Sequence, residues 1–231
     1  MTARPTTAVN DKPFAWSYSQ LKNFETCPSR YYHYNVIKDV VEPETDQLKS
    51  GNDLHRAFDA RIKGAALPLG YGQHESMLAK IISAPGVTYG EQKLSMTSEF
   101  APSGYFDKDT WFRTVIDAAK IRDDGSATVL DWKTGKPGAD ITQLQLMAAT
   151  LFVHLPNLQR IKSALIFLGY KTTERADFVR DDQAEIWSEI LPRVRAVERA
   201  RASNEYAPRP SGICIKYCAV RSCPYHGKGA R

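Results

Sequence analysis

The sequence predicts an α/β fold, a central mixed β-sheet flanked by helices, on three observations. Helical periodicities come first, a meander of strand-like segments follows, and the order then runs helix, strand, helix. The stretch 127–132 is almost entirely apolar, as a strand covered on both faces is. The chain has 231 residues, 42% of them apolar and 25% charged, enough for one substantial core and too few for two large domains.

The opening residues 1–16 are rich in Thr and Ala and read as a flexible tail. A helix starts at Ser17 or Ser19, either of which can cap it, with Leu21 and Phe24 on one face. Cys27-Pro28 interrupts that run, and 31–36 resumes it as an aromatic-rich element; 43–49 reads as polar linker. Leu54, Phe58 and Ile62 recur every fourth residue and define a second helix over 51–63, with His55 one position off the stripe. A further helix is expected over 73–83.

Strands are expected over 87–100, with Glu91 inside, and over 109–121. Asp123-Asp-Gly-Ser is the tight turn into a third strand, 127–132. Asp140 caps a helix to 153; 163–169 is a buried strand, 176–179 a short edge strand, and 181–203 a long charged helix. The last 25 residues or so, rich in Pro, Gly and Cys, look like an irregular segment that needs a staple.

Composition narrows the function classes modestly. No apolar run approaches the ~20 residues that span a bilayer, and residues 1–10 lack the apolar stretch of a signal peptide, so a cytoplasmic location and no membrane partner are expected. A net charge of +5 suits a polyanion such as DNA, whose phosphates release counterions to Lys and Arg. In such a chain Cys27, Cys214, Cys218 and Cys223 read as a metal or cluster site rather than a disulfide framework.

The chemistry centres on Asp117 and Asp131-Trp132-Lys133. Asp131 and Lys133 stand two apart on a strand and project from one face, and a hairpin partner can set Asp117 beside them. Two carboxylates held together repel each other, and a divalent cation resolves the conflict. Bound Mg²⁺ or Mn²⁺ lowers the pKa of a water, and Lys133 can orient that water or neutralise developing charge. D-x-K alone also fits a surface hairpin; here it ends a buried strand and precedes a Gly turn, a usual place for a site. Glu91 is either a third carboxylate or a solvent-facing glutamate. His55 is either a metal ligand or a structural histidine. Gln143, one turn before Met147, either bonds the lysine, a water or a phosphate, or forms the polar border of a packed helix.

These residues resemble the RecB-like branch of the PD-(D/E)xK nuclease superfamily, which includes RecB and AddB nuclease domains and CRISPR-associated RecB-like exonucleases. The opening S-x-S-x-L-x-x-[FY]-x-x-C-P-x-[RK]-[FY] of that branch is matched from Ser17 to Tyr31. Gly51 to His55 matches G-x-x-x-H, Thr114 to Asp117 G-x-x-D, Asp131 to Gly135 D-x-K-T-G, and Gln143 to Ala148 Q-x-x-x-Y-A. The pieces keep the family order across residues 17–150. The resemblance implies a restriction-endonuclease-like fold, with 17–231 as one nuclease domain: a helical part 17–85, a catalytic core 86–180, and a C-terminal helix and Cys segment 181–231. It implies His55, Asp117, Asp131 and the Trp132 carbonyl as metal ligands, Lys133 as the catalytic lysine, Gln143 in support and Glu91 on a metal-bound water. Thr114 stands where Gly is usual and Met147 where Tyr is usual, which puts substrate preference in doubt but touches no ligand.

Some members hold a [4Fe–4S] cluster with one Cys before the core and three after it, and this chain distributes its cysteines in that way. The spacing Cys214-x3-Cys218-x4-Cys223 departs from C-x2-C-x5-C, so zinc, with His226 available, and no ligand at all stay open. The expected activity is a metal-dependent exonuclease on DNA ends or single strands, used in recombination, replication or repair. An endonuclease of the same fold and an inactive DNA-binding module are the other readings. There is no Walker A loop, so any unwinding falls to a helicase or recombination partner or is unnecessary; nothing in the sequence sets an oligomeric state. Arg193, Arg195, Arg199 and Arg201 read as a solvated helix face, whereas Lys216, Arg221, Lys228 and Arg231 read as DNA contacts. Tyr31, Tyr32 and Tyr34 read as core ahead of base-stacking groups.

Overall fold

The computed structural model describes residues 14–41, 45–138 and 140–228. The expected tail lies outside them up to residue 13, as do residues 43–44 of the expected linker and Arg231. The described residues fall into two compact units, divided at 43/44 and 187/188.

The unit of residues 44–187 contains both sheets. Its first helix, α3 (Asp46–Ile62), starts within the stretch expected to be linker, because the Thr45 side chain accepts from the Leu48 N–H and Asp46 supplies an acidic first turn. A 3₁₀ turn (Gly72–His74) leads into α4 (Glu75–Ser83). The strands follow as β1 (Val87–Tyr89), β2 (Gln92–Met96), β3 (Pro102–Ser103), β4 (Phe112–Ile116), β5 (Ala118–Ile121) and β6 (Ser126–Lys133). Then come α5 (Thr142–His154), β7 (Arg160–Phe167) and β8 (Thr172–Val179). Asp140 is not the helix cap that was expected: the helix begins two residues later behind Ile141, which offers no side-chain cap, and Asp140 Oδ1 accepts from the Thr142 N–H at 3.0 Å from one position further out. The edge strand β8 has eight residues where four were expected. Each of its residues pairs with β7, which extends the strand beyond its short apolar stretch.

The main sheet has the order β1-β5-β6-β7-β8. β6 and β7 are parallel, bridged by α5, and the other pairs are antiparallel. This is the mixed sheet with flanking helices that the sequence predicts. A second, antiparallel sheet has the order β3-β2-β4. Its existence corrects two expectations. The segments 87–100 and 109–121 are not two strands; each passes from one sheet to the other, the first at Gly90-Glu91 and the second at Asp117. At the first break Asp59 Oδ1 takes the Glu91 N–H at 2.8 Å. A Cβ on Gly90 would lie 2.1 Å from that oxygen, so only glycine allows the approach. Glu91 therefore sits between strands and not inside one.

Strand parity divides the sheet's neighbours. Leu130 and Trp132 of β6 join Ala118 and Ala164 in a buried cluster with Leu54 and Phe58 of α3 and Leu78 of α4. The Trp132 and Phe58 rings meet edge to face at 5.3 Å. The opposite parity sends Asp131 and Lys133 toward Gln143 of α5. α5 is apolar on nearly every side because it packs against strands of both sheets. Lys120 is buried on β5 and donates to the carbonyls of Ile81 and Ile82, satisfying the last turn of α4.

The other unit begins with α1 (Tyr18–Thr26), capped by Ser17, which accepts from the Gln20 N–H at 3.4 Å. α2 (Pro28–Tyr31) and a π-helical turn (Tyr32–Val36) follow the break at Cys27-Pro28. A 3₁₀ turn (Arg180–Asp182) precedes α6 (Gln183–Ser203), whose later part belongs to this unit, as does α7 (Ile213–Lys216). Tyr31 is buried against Phe24, and Tyr32 stacks on Tyr206 at 4.7 Å. The Arg30 guanidinium lies over the Tyr34 ring. Arg193 forms a bidentate pair with Glu25 (2.6 and 3.0 Å), and Arg201 lies over the Phe14 ring.

Candidate active site

The catalytic candidates gather where β6 ends. Asp131 is 4% exposed, which makes it the most secluded acid among the described residues. Gln143 Nε2 donates to Asp131 Oδ1 at 2.8 Å, and Lys133 Nζ donates to Gln143 Oε1 at 2.7 Å. Lys133 Nζ also lies 2.6 Å from Asp131 Oδ2. The amide of Gln143 thus closes a three-membered ring with the carboxylate and the ammonium. Nζ carries three N–H groups, so it serves Gln143 Oε1 and forms a close ion pair with Asp131 Oδ2 at once.

Asp117 occupies the break between β4 and β5, one step beyond the pair Ala118↔Leu130. Leaving the ladder frees its side chain to bond two partners. Oδ2 accepts from the Trp132 N–H at 2.8 Å, and Oδ1 lies 3.0 Å from His55 Nδ1. His55 arrives from α3. Gly51 stands one turn earlier on that helix, and a Cβ there would lie 3.3 Å from Thr134 Oγ1, so the glycine lets the helix settle against the loop that follows Lys133. The G-x-x-x-H spacing is thereby a packing device as well as a placement of the imidazole.

Electrostatics follow from this crowding. Burial pushes the Asp131 carboxyl up to about 6, with the nearby Asp117 charge adding to the rise and Lys133 and His55 opposing it. The hydrogen bond to Asp117 raises His55 above its ordinary value against the pull of burial.

His55, Asp117, Asp131, Lys133 and Gln143 are therefore brought together, and Trp132 takes part through its N–H. Glu91 is not joined to them by any bond among the described residues; its carboxylate lies 3.5 Å from Lys93 Nζ, partly exposed. Sequence reading passed over Asp59, which anchors the Glu91 backbone from 32 residues away, a separation that leaves no local signal.

Among the described residues no three His, Cys, Asp or Glu side chains already stand as a ligand set for a metal ion. The donor chemistry nevertheless fits a divalent, oxygen-preferring cation. A second carboxylate lies close enough to raise the Asp131 pKa, and an imidazole flanks that second carboxylate.

All four cysteines are free thiols in the other unit, and all four line one cavity walled by Pro208, Ile213 and Val220. The Arg209 N–H donates to Cys27 Sγ at 3.3 Å and the Ser211 N–H to Cys214 Sγ at 3.5 Å. Burial raises the Cys218 thiol, opposed by a backbone hydrogen bond from Val220.

Among solved structures, a candidate exonuclease from Eubacterium rectale is 11% identical, with 90% of each chain covered and a TM-score of 0.53; it shares the fold. The protein SSO0001 is 14% identical, over 96% of this chain and 90% of that one, at a TM-score of 0.41. No curated protein sequence matches the chain. The sequence model of the PD-(D/E)XK nuclease superfamily matches residues 15–109 and 86–224. The chain belongs to the PD-(D/E)XK nuclease superfamily.

Proposed function

We propose that this protein is a RecB-like, metal-dependent deoxyribonuclease acting as an exonuclease on DNA ends or single strands, with residues 17–231 serving as one nuclease domain. The observation that carries the reading is the bonded set Asp131–Gln143–Lys133 beside Asp117–His55, on the edge where β6 ends. Asp131 and Asp117 would hold Mg²⁺ or Mn²⁺, with His55 and the Trp132 carbonyl as further ligands. The bound cation supplies positive charge to a phosphate oxygen and lowers the pKa of a water.

The chain's own groups have distinct tasks. Lys133 orients the attacking water and neutralises the charge that gathers on the phosphate. Gln143 holds Lys133 and Asp131 in register, so that neither side chain has to be ordered when substrate arrives. Asp117, through the Trp132 N–H and His55, ties the strand end to α3. Hydrolysis adds the water oxygen to phosphorus, expels one ester oxygen as a hydroxyl and leaves a phosphomonoester. Service in recombination, replication or repair, beside a helicase or recombination partner, is the setting such an activity fits.

The test is digestion of closed circular and end-labelled linear DNA with Mg²⁺ or Mn²⁺. Loss of linear DNA alone is expected. Cutting of closed circles overturns the exonuclease reading in favour of an endonuclease; binding without cutting of either form favours an inactive module.

For Cys27, Cys214, Cys218 and Cys223 the proposal is a structural [4Fe–4S] cluster. Four free thiols around one cavity, three of them accepting backbone N–H bonds, suit thiolate ligation. A brown protein with absorbance near ~400 nm supports the cluster; a colourless protein carrying one zinc per chain replaces it with a zinc site.

A further inference from the structure

The face of the main sheet that carries Leu130 and Trp132 packs on α3 and α4. That cover stops at the end of α4, where Lys120 Nζ reaches the Ile81 and Ile82 carbonyls. Lys120 pairs with Thr128, so the same face continues through Thr128 and Ser126 of β6 and through Lys162 and Arg160 of β7. Lys162 and Arg160 are exposed there. Together with Arg122 and Asp124 of the β5–β6 turn, these residues bound an open hollow of about 380 Å³. Asp131 and Lys133 have the opposite parity on β6, so the hollow stands apart from the cleavage chemistry.

Local structure holds three cations at this hollow. The Gly125 carbonyl accepts from the N–H groups of Gln159 and Arg160 at 2.7 and 3.2 Å, which clamps the β5–β6 turn to the start of β7. The Arg122 guanidinium donates to Thr128 Oγ1 at 3.1 Å. Register sets Arg160 beside Ser126 and Lys162 beside Thr128. Among the described residues no carboxylate forms an ion pair with Arg122, Arg160 or Lys162. Asp124 lines the hollow, but its Oδ1 is taken by the N–H and the hydroxyl of Ser126 at 2.9 and 2.6 Å. Cations gathered without a counter-charge repel one another, and a bound anion removes that cost.

The lining also selects the ligand. It is charged and polar apart from Ala127, so a base or other flat ring finds no wall to stack on. Two guanidinium groups, an ammonium and two hydroxyls are the donors that phosphate oxygens accept from. The cations come from both sides of β6, with backbones two strand spacings, about 9.5 Å, apart. That span suits linked phosphates better than a single one.

We propose that this hollow is a second anion site, separate from the metal centre, that takes linked phosphate groups. They are those of a free oligophosphate, such as a nucleoside triphosphate, or those of a nucleic acid backbone. The inference goes beyond the nuclease reading, because nothing in the cleavage chemistry calls for these cations.

The experiment measures binding of inorganic triphosphate by calorimetry and of a fluorescein-labelled twelve-thymidine strand by anisotropy, both in EDTA. The wild type is expected to take one triphosphate per chain. Lys162→Glu weakens that binding by about tenfold or more, because it sets a carboxylate against the ligand. Arg175→Glu is the control. Arg175 is exposed on the same sheet face, on β8 opposite Ala164, and does not line the hollow. Its substitution changes net charge equally and leaves the affinity within about twofold. For a nucleic acid strand seated in the hollow, Lys162→Glu also weakens DNA binding and lowers its salt slope by about 0.7. Unchanged DNA binding beside lost triphosphate binding assigns the hollow to the free oligophosphate. Unchanged affinity of Lys162→Glu for both probes overturns the proposal. An equal loss with Arg175→Glu also overturns it, reducing the hollow to general surface charge. Arg160→Gln carries the same comparison if Lys162→Glu does not fold. Without metal the readout is independent of cleavage: a protein that cuts no DNA can show the site, and an active nuclease can lack it.

Discussion

The groups at the end of β6 are bonded to one another, whereas the four thiols of the other unit are bonded only to backbone. Asp131, Gln143 and Lys133 close a ring at 2.6–2.8 Å. Cys27 and Cys214 accept N–H bonds at 3.3 and 3.5 Å, Cys218 takes one from the Val220 backbone, and no disulfide joins any pair. Sheet register explains the first arrangement. β6 pairs with β5 up to Leu130 and with β7 along its whole length, so Asp131 and Lys133 are held in register by β7 while the β5 side is open where Asp117 sits. The thiols are carried by the α1–α2 junction and by a C-terminal segment that, among the described residues, has the four-residue α7 as its helix. A site built on strands is organised by the fold; a site built on short irregular segments needs its ligand to organise it.

The sharpest way to break this contrast is Asp131→Asn. Cleavage is expected to fall by about 10³-fold or more, since a charge that serves the transition state is lost. In EDTA, however, the same variant is expected to melt a few degrees higher than wild type. The carboxyl titrates at 3.8 unfolded and at about 6 folded, so the folded anion costs stability above about 6 and nothing below 3.8. The variant's gain in Tm therefore grows as pH rises through that window. An equal Tm difference at pH 4 and pH 7.5 would contradict the burial argument.

Cys214→Ser tests the other arm. Hydrogen exchange is expected to speed up by roughly 10–100-fold in 205–228, a local opening of a few kcal/mol. Exchange in β6 and β7 should stay unchanged. Uniform loss of protection across both units would erase the distinction between the two sites.

A smaller effect is expected from Gln143→Leu, which removes both amide bonds and keeps the helix. Activity should fall about 10–100-fold, the usual cost of losing a group that orients a ligand. The pH profile should shift as well, because Asp131 and Lys133 lose their common partner. A merely structural glutamine would leave that profile in place. The smallest effect belongs to Glu91→Gln: the carboxylate is partly exposed and paired only with Lys93, so activity should change less than about twofold. A hundredfold loss would restore Glu91 as the residue that holds a metal-bound water.

Much of the fold and the site was legible in the sequence where the governing interactions are local. The helix cap at Ser17 was visible because it acts within three residues. The common face of Asp131 and Lys133 was visible because strand parity is two. The parallel central strand was visible as an apolar run. What escaped depends on partners far apart in the chain. Periodicity continues through residues 90–91 and 117, so the two long segments read as single strands; Asp59 and the separate pairing of each half broke them.

Residue types and local spacing alone determined that Asp131 and Lys133 share a strand face, that a second carboxylate and a histidine are at hand, and that four cysteines flank the segment carrying them. Only the tertiary structure decided that Gln143 joins Asp131 to Lys133, that Asp117 spans Trp132 and His55, and that Cys27 shares a cavity with cysteines nearly two hundred residues later. The physical reason is that parity and capping are fixed by bond geometry over a few residues, whereas sheet register and helix docking are fixed by burying apolar surface between segments the chain itself keeps apart.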